Sequence, residues 1–339
     1  MRAARYPTGG PEAGRIRVES VPRPDPGAGE VLVEVAVSGV NPTDWRARDP
    51  GGLTHSGAAD WAIPNQDGAG SIVACGDGVP AERLGERVWL WQARWESPSG
   101  TAAEFVTVPA ERAVPLPPGT SFELGAGLGI PAMTAHRCLF ARGPLGPGDR
   151  VLVQGGAGAV GHAAIELAVH AGAWVAATVS GPEKAEIATA AGAELVVDYR
   201  RQDVSKELGA WAPDGVARVV EVDLAGNVAL DAEAIGAGGA ISVYAAPRHD
   251  IPVPISLMKL NASIDLVLVY TMPDSAKRAA VEAIDAALRD DALTALPGPR
   301  FPLEETAAAH DAVEHGAVGK VLIEVGAAGR GLAPRAGVG

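Results

Sequence analysis

Up to residue 123 the apolar positions come in short bursts: IRVESVPRP (16–24), EVLVEVAVSGV (30–40), SIVACG (71–76), RVWLW (87–91) and AEFVTVP (103–109). Rich in Val, Leu and Ile and bounded by Gly and Pro, they predict strands. Alternation in EVLVEVAV sets Val31, Val33, Val35 and Val37 on one face. Together these strands predict a compact, barrel-like lobe. From residue 150 the rhythm changes. RVLVQ, AWVAATVS, AELVVD, ARVVEVD, GAISVYA and IDLVLVY are near-continuous apolar runs, and helical stretches such as HAAIELAVHAG and EKAEIATAAG lie between them. Strands without alternation, separated by helices, predict a parallel sheet covered on both faces, and six of them complete a doubly wound α/β domain. Farther on, DSAKRAAVEAIDAALRD repeats apolar residues at Val281, Ile284 and Leu288, a helical spacing, and GKVLIEV returns to strand. That last strand is expected to rejoin the first lobe. The expected division is 1–123 with 273–326, then 124–272, with a disordered tail over 327–339.

A chain of 339 residues has room for two cores, since single cores seldom grow beyond about 250–300 residues. Lys and Arg number 28 against 41 Asp and Glu, a formal net charge of −13 with no basic run, so nucleic acid and anionic membranes are poor partners. The opening MRAARYPTGG lacks the apolar stretch of a signal peptide, and no window approaches the roughly 18 apolar residues of a membrane span. The cytoplasm is the expected location. Two distant cysteines, Cys75 and Cys138, argue against a disulfide framework or a thiolate-rich metal site.

The segment LVQGGAGAVGHAAIEL gives up nearly all side chains between a strand and an Ala-rich helix. Gly156, Gly158 and Gly161 form G-x-G-x-x-G there, a context that predicts backbone N–H groups approaching a pyrophosphate at a helix N-terminus. NAD-binding domains usually end the second strand in Asp or Glu, which holds the ribose hydroxyls. Here that place reads AATVSGPEK, without a carboxylate. Ser180 and Lys184 suit a 2′-phosphate, and Tyr199 after the third strand closes the predicted pocket, favouring NADPH over NADH.

EVLVEVAVSGVNPTDW, NQDGAGSIVACGDGV, IPAMTAHRCLF, GGAGAVGHAAIELA and GKVLIEV occur in the order seen in zinc-free medium-chain dehydrogenase/reductases. The chain most resembles the zeta-crystallin-like NADPH:quinone oxidoreductases, over residues 1 to 325. The resemblance implies a GroES-like β-rich catalytic domain, a Rossmann domain with a doubly wound parallel sheet, a cleft between them and a homodimer. Zinc-containing members carry a Cys ligand where this chain has Asn41 and a His where it has Gln66; a catalytic zinc needs about three convergent ligands, so metal-free hydride transfer is expected.

The same resemblance places Asn41 near nicotinamide and substrate, with the acidic Asp44 close by, and Thr134 near the nicotinamide ribose. It assigns Gly156, Ala157, Gly158, Ala159 and Val160 to the pyrophosphate, and Ser180, Lys184 and Tyr199 to the 2′-phosphate. Val243, Tyr244, Ala245, Leu268, Val269 and Tyr270 match strand ends flanking the nicotinamide, and Lys320 matches a lysine near the cofactor. Several members have Tyr where this chain has Arg46, which removes any proton donation by that Tyr. The stretch RDPGGLTHSGAADWAIP is peculiar to this chain.

The implied reaction is reduction of a small-molecule quinone or enone. Without a metal, charge on the carbonyl oxygen requires donors such as Asn41 or Arg46. Asp44, Tyr6, Arg46 and His136 are candidates for proton delivery, with solvent as an alternative source. Trp45, Trp61 and Trp91, with Tyr6, are candidate walls of a planar pocket, core packing being the plainer role. A tailoring enoyl reductase and a non-enzymatic NADPH-binding structural or sensor protein share the same motifs.

Overall fold

The computed structural model describes residues 1–48, 59–245 and 250–326, so the expected tail and most of RDPGGLTHSGAADWAIP lie outside the described residues. Packing divides the chain into two compact units, Met1–Ile130 with the chain from Ala295 onward, and Pro131–Thr294.

The first unit contains β1 (Arg2–Pro7), β2 (Arg17–Ser20), β3 (Glu30–Gly39), β4 (Trp61–Ala62), β5 (Asp67–Cys75), β6 (Arg87–Leu90), β7 (Phe105–Pro109) and β8 (Ala113–Pro115). A small sheet runs β2-β1-β4. A larger one runs Arg300–Pro302, Leu322–Glu324, β3, β5, β6, β8, with β7 also paired to β3. Val31, Val33, Val35, Ile72, Val88 and Ile323 sit in its core. The alternation expected along β3 is incomplete: Leu32, Ala36 and Ser38, on the opposite face, are buried too, and Glu34 is the one exposed residue of the strand. Register shifts at Leu32/Val33 and Val35/Val37 bend the strand, which brings cover to both of its faces.

Leu322–Glu324 does return to pair antiparallel with β3, setting Leu322 opposite Gly39, and Val40 N–H donates to Val321 O at 3.0 Å. Continued by two residues, this register puts Lys320 opposite Asn41. On the other edge of β3, Gly39 pairs with Asp67.

In the second unit β9 (Arg150–Val153), β10 (Trp174–Val179), β11 (Leu195–Asp198), β12 (Val216–Glu221), β13 (Ile235–Val243) and β14 (Ser263–Leu266) form one parallel sheet in the order β11-β10-β9-β12-β13-β14. The order reverses between β9 and β12, and such a reversal is where doubly wound sheets bind ligands, past the carboxyl ends of the strands. Two expectations change here. The last strand stops at Leu266, so Leu268, Val269 and Tyr270 are not a strand end; Val269–Thr271 is a 3-10 turn with Val269 and Tyr270 buried. The helix Asp274–Arg289 was expected in the first lobe but packs in the second unit, burying Ala280, Ile284, Ala287 and Leu288, with Val281 half-buried. Past it, Asp290 pairs with His170 at 3.0 Å and Thr294 with Glu166, which ties the segment to the helix Ala159–His170.

Candidate active site

The glycine loop follows β9 directly, and its glycines are there for different reasons. A Cβ on Gly161 would lie 2.3 Å from Gly155 O, and one on Gly156 2.7 Å from the Ala177 Cβ, so the fold itself forbids side chains at both. Gly158 is unlike them. It caps the helix Ala159–His170 at φ −78°, ψ 161°, a conformation open to any residue, and its Cβ would meet only Gly155 O at 3.4 Å. Nothing among the described residues explains its missing side chain, whereas a pyrophosphate lying against Ala157, Gly158, Ala159 and Val160 would. These residues fit a dinucleotide.

At the end of β10, Gly181 takes φ 155°, and Lys184, on the helix Pro182–Ala190, donates from Nζ to Ser180 Oγ at 3.1 Å. Tyr199 follows β11 and is 53% exposed. Ser180 and Lys184 thus meet, with Tyr199 and the exposed Arg200 beyond the neighbouring strand. Val243 ends β13, with Tyr244 and Ala245 just beyond it, and Thr134 is buried on the helix Gly129–Phe140.

A buried polar chain that the sequence did not reveal adjoins this loop. Gly155 N–H donates to Thr178 Oγ1 (3.2 Å), Thr178 Oγ1 to Gln154 Oε1 (2.6 Å), and Gln154 Nε2 to Asp231 Oδ1 (2.9 Å). The Asp231 carboxyl also feels the charge of Glu221, whose carboxylate accepts from Asn227 and from the Asp223 N–H. Burial, and then the Glu221 charge, push Asp231 up to about 9, so at neutral pH the pair holds a proton.

In the first unit, the β3 registers gather Asn41, Asp44, Asp67 and Lys320, all 4% exposed or less. Lys320 Nζ donates to Asn41 Oδ1 at 2.7 Å and lies 3.6 Å from Asp67 Oδ2. Asn41 Nδ2 donates to Asp67 Oδ2 at 2.6 Å, and Asp67 Oδ1 accepts from Ile130 N–H at 2.8 Å. Gly129 makes that approach possible, since a Cβ there would lie 2.2 Å from Asp67 Oδ1. Asp44 Oδ2 accepts from Asn41 N–H at 2.7 Å, while its buried Oδ1 has no partner among the described residues. Burial, followed by the Asp67 charge, raises Asp44 to about 7.

The other candidates are placed differently. Arg46 is exposed, with its guanidinium 5.3 Å from the centre of the half-buried Trp45 ring. Trp61 lies under Arg5 at 4.3 Å, and Trp91 is buried with Arg112 at 5.7 Å. Tyr6 is buried, its hydroxyl 3.4 Å from Ala47 O and its ring 5.5 Å from the Arg94 guanidinium. His136 leans on Phe140 and is pushed down by burial to about 4, so it is neutral at pH 7.

A family profile described as "Alcohol dehydrogenase GroES-like domain" matches residues 27–118, and one described as "Zinc-binding dehydrogenase" matches 159–286. The rat quinone oxidoreductase is 30% identical over 328 residues, covering 95% of this chain and 97% of the rat protein. The chain belongs to the quinone oxidoreductases of the medium-chain dehydrogenase/reductase family. Its first unit is thus the GroES-like sheet domain and its second the Rossmann-type domain. The human quinone oxidoreductase is 29% identical over 95% of the chain and 97% of its own length. Among solved structures, the Thermus thermophilus quinone oxidoreductase, also determined with NADPH, aligns at TM-score 0.78 and 29% identity over 96% of this chain and all of its own. An NAD-dependent alcohol dehydrogenase aligns at TM-score 0.85 and 28% identity, with the same coverage.

The zinc in the second profile's description finds no donor set in this quinone oxidoreductase relative. Two positions where zinc-containing members have ligands hold the amides of Asn41 and Gln66, and the Asn41 oxygen faces the Lys320 ammonium. Among the described residues no group of three His, Cys, Asp or Glu could hold a metal ion, so the residues present do not fit zinc. Asp67 was visible in the sequence only as the last letter of NQD. Its role depends on the pairing of β3 with β5, which no local pattern reports.

Proposed function

We propose that this oxidoreductase uses NADPH to reduce conjugated carbonyl compounds, quinones or α,β-unsaturated ketones, without a metal. The observation that carries the reading is the Asn41 cluster: where zinc relatives bind a Lewis acid, this chain holds a carboxamide between an ammonium and a carboxylate. Residues Gly156 to Val160 would receive the pyrophosphate, and Ser180 with Lys184 the 2′-phosphate. NADPH, when bound, supplies the hydride.

A hydride accepted at the electrophilic carbon of a conjugated carbonyl moves the π electrons toward oxygen. Asn41 Nδ2 has a second hydrogen, uncommitted among the described residues, with which to stabilise that charge. Conjugation spreads the charge, so a neutral donor suffices where a simple ketone would call for a Lewis acid. Asp44 is the acid of this cluster. With its carboxyl raised to about 7 and Oδ1 free of partners among the described residues, it can release a proton near neutrality to neutralise the enolate or hydroquinone anion. Arg46, which is exposed, would act at the rim and not within this cluster.

The test is NADPH oxidation, followed by its absorbance, with simple quinones, conjugated enones and saturated ketones. Turnover of a conjugated class and not of saturated ketones is expected. Binding of NADPH with no turnover of any electrophile would reject the reading in favour of a sensor or structural role.

A further inference from the structure

We infer that Lys320 and Asp67 are positioning residues that act through Asn41, fixing its carboxamide with nitrogen as the presented donor, and that Lys320 is not a coenzyme contact. The inference rests on the proposed reductase reading and goes beyond it in naming what makes Asn41 a donor. A carboxamide has two nearly isosteric orientations, differing by exchange of O and NH2. Here the neighbours choose. Nζ of Lys320 at 2.7 Å demands an acceptor on one side, and the Asp67 carboxylate at 2.6 Å demands a donor on the other. Rotated by half a turn, the amide would set its oxygen against a carboxylate and its NH2 against an ammonium, two repulsive contacts in a buried site.

The frame that holds these two charges is built from backbone pairing. The β-register places Lys320 opposite Asn41, and Ile130 N–H fixes the second Asp67 oxygen at 2.8 Å. Stability is a weak reason for such a pair, because a buried ion pair gains little over apolar residues of the same volume. Orientation is what apolar residues would not provide. The ammonium on Oδ1 also draws electron density from the amide, which strengthens the remaining N–H as a donor. Lys320, only 4% exposed and engaged with both partners, has its charge balanced inside the cluster.

Two variants test this. Lys320→Met removes the ammonium, and the charge-exchanged Lys320→Glu/Asp67→Lys keeps an ion pair while asking the amide to turn over. Both are expected to bind NADPH within about twofold of wild type, because the pyrophosphate and 2′-phosphate residues are untouched. For enone reduction, kcat should fall about tenfold or more in Lys320→Met and about a hundredfold in the exchanged pair, the scale of losing one oxyanion donor. A merely structural pair would be rescued by the exchange. Wild-type kcat in either folded variant, or NADPH affinity falling in step with kcat, would overturn the inference. Should the exchanged pair not fold, the kcat and affinity of Lys320→Met decide alone. Neutron diffraction of wild-type crystals reads the orientation without turnover: an Nδ2 hydrogen must point at Asp67 and none at Lys320, and the opposite result overturns the inference. Absence of turnover by wild type with every electrophile would instead overturn the reductase reading.

Discussion

Gly158 and Gly161 sit three residues apart in one loop and should fail in opposite ways when substituted. In Gly158→Val the new side chain starts from an allowed backbone conformation, and its Cβ meets only Gly155 O at 3.4 Å. Its cost to the unliganded fold should stay near the roughly 1 kcal/mol typical of a changed helix N-cap, a Tm loss of a few degrees. A pyrophosphate lying on this loop, however, would lose its approach to the backbone N–H groups. Two charge-assisted hydrogen bonds at about 1.5–3 kcal/mol each amount to roughly a hundredfold or greater loss of NADPH affinity. In Gly161→Ala the methyl falls 2.3 Å from Gly155 O and 3.0 Å from Gly156 Cα, so the loop must move. Overpacking of that kind costs about 1–3 kcal/mol, with a correspondingly larger fall in Tm before any coenzyme is added. Thermal unfolding without coenzyme and titration calorimetry with NADPH separate the two effects. The reasoning is refuted if Gly158→Val binds NADPH like wild type, or if it destabilises the empty protein as much as Gly161→Ala does.

Other expectations follow from single contacts. Lys184→Ala should weaken NADPH about tenfold, the discounted worth of a half-exposed ammonium–phosphate pair, and leave NADH within about twofold; equal losses would remove the 2′-phosphate assignment. Asp231 is held protonated up to about pH 9 in the fold, against a carboxyl of about 3.8 in the unfolded chain. The folded protein therefore keeps a proton that the unfolded chain releases, and this contribution to stability is full below about pH 4 and is lost as pH rises toward 9. Asp231→Asn should flatten that decline in denaturant titrations across pH, and an unchanged slope would dismiss the shared proton. With Asp44 as acid, kcat/KM should fall as pH rises through about 7, and Asp44→Asn should abolish that limb; its persistence would move the proton source elsewhere. Elemental analysis of purified protein should find no stoichiometric zinc, and one bound zinc per chain would contradict the reading of the Asn41 and Gln66 amides.

Features encoded by local pattern were legible in the sequence. The change from Gly- and Pro-bounded bursts to continuous apolar strands marked two kinds of sheet, and the glycine loop stood between β9 and its helix where its spacing predicted. Ser180 and Lys184 were legible as candidates because they stand together at the turn from β10 into the next helix. Long-range registers were not legible. Nothing in NQD or GKVLIEV states that β3 carries Asp67 on one edge and the strand after Lys320 on the other, yet this is what assembles the Asn41 cluster. The acid pair of Glu221 and Asp231 escaped for the same reason, since each looks like an ordinary surface carboxylate until the sheet closes over it. The apolar run IDLVLVY overstated its strand because burial alone does not distinguish a strand from a buried 3-10 turn.

The most direct test is isotope transfer. NADPH carrying deuterium at C4 of the reduced nicotinamide would be incubated with metal-free protein and a conjugated enone, and the product examined by mass spectrometry and NMR. Deuterium on the carbon β to the carbonyl, with the α position protonated from solvent-derived hydrogen, is the predicted result. Unlabelled product, or full activity that appears only when zinc is restored, would contradict it.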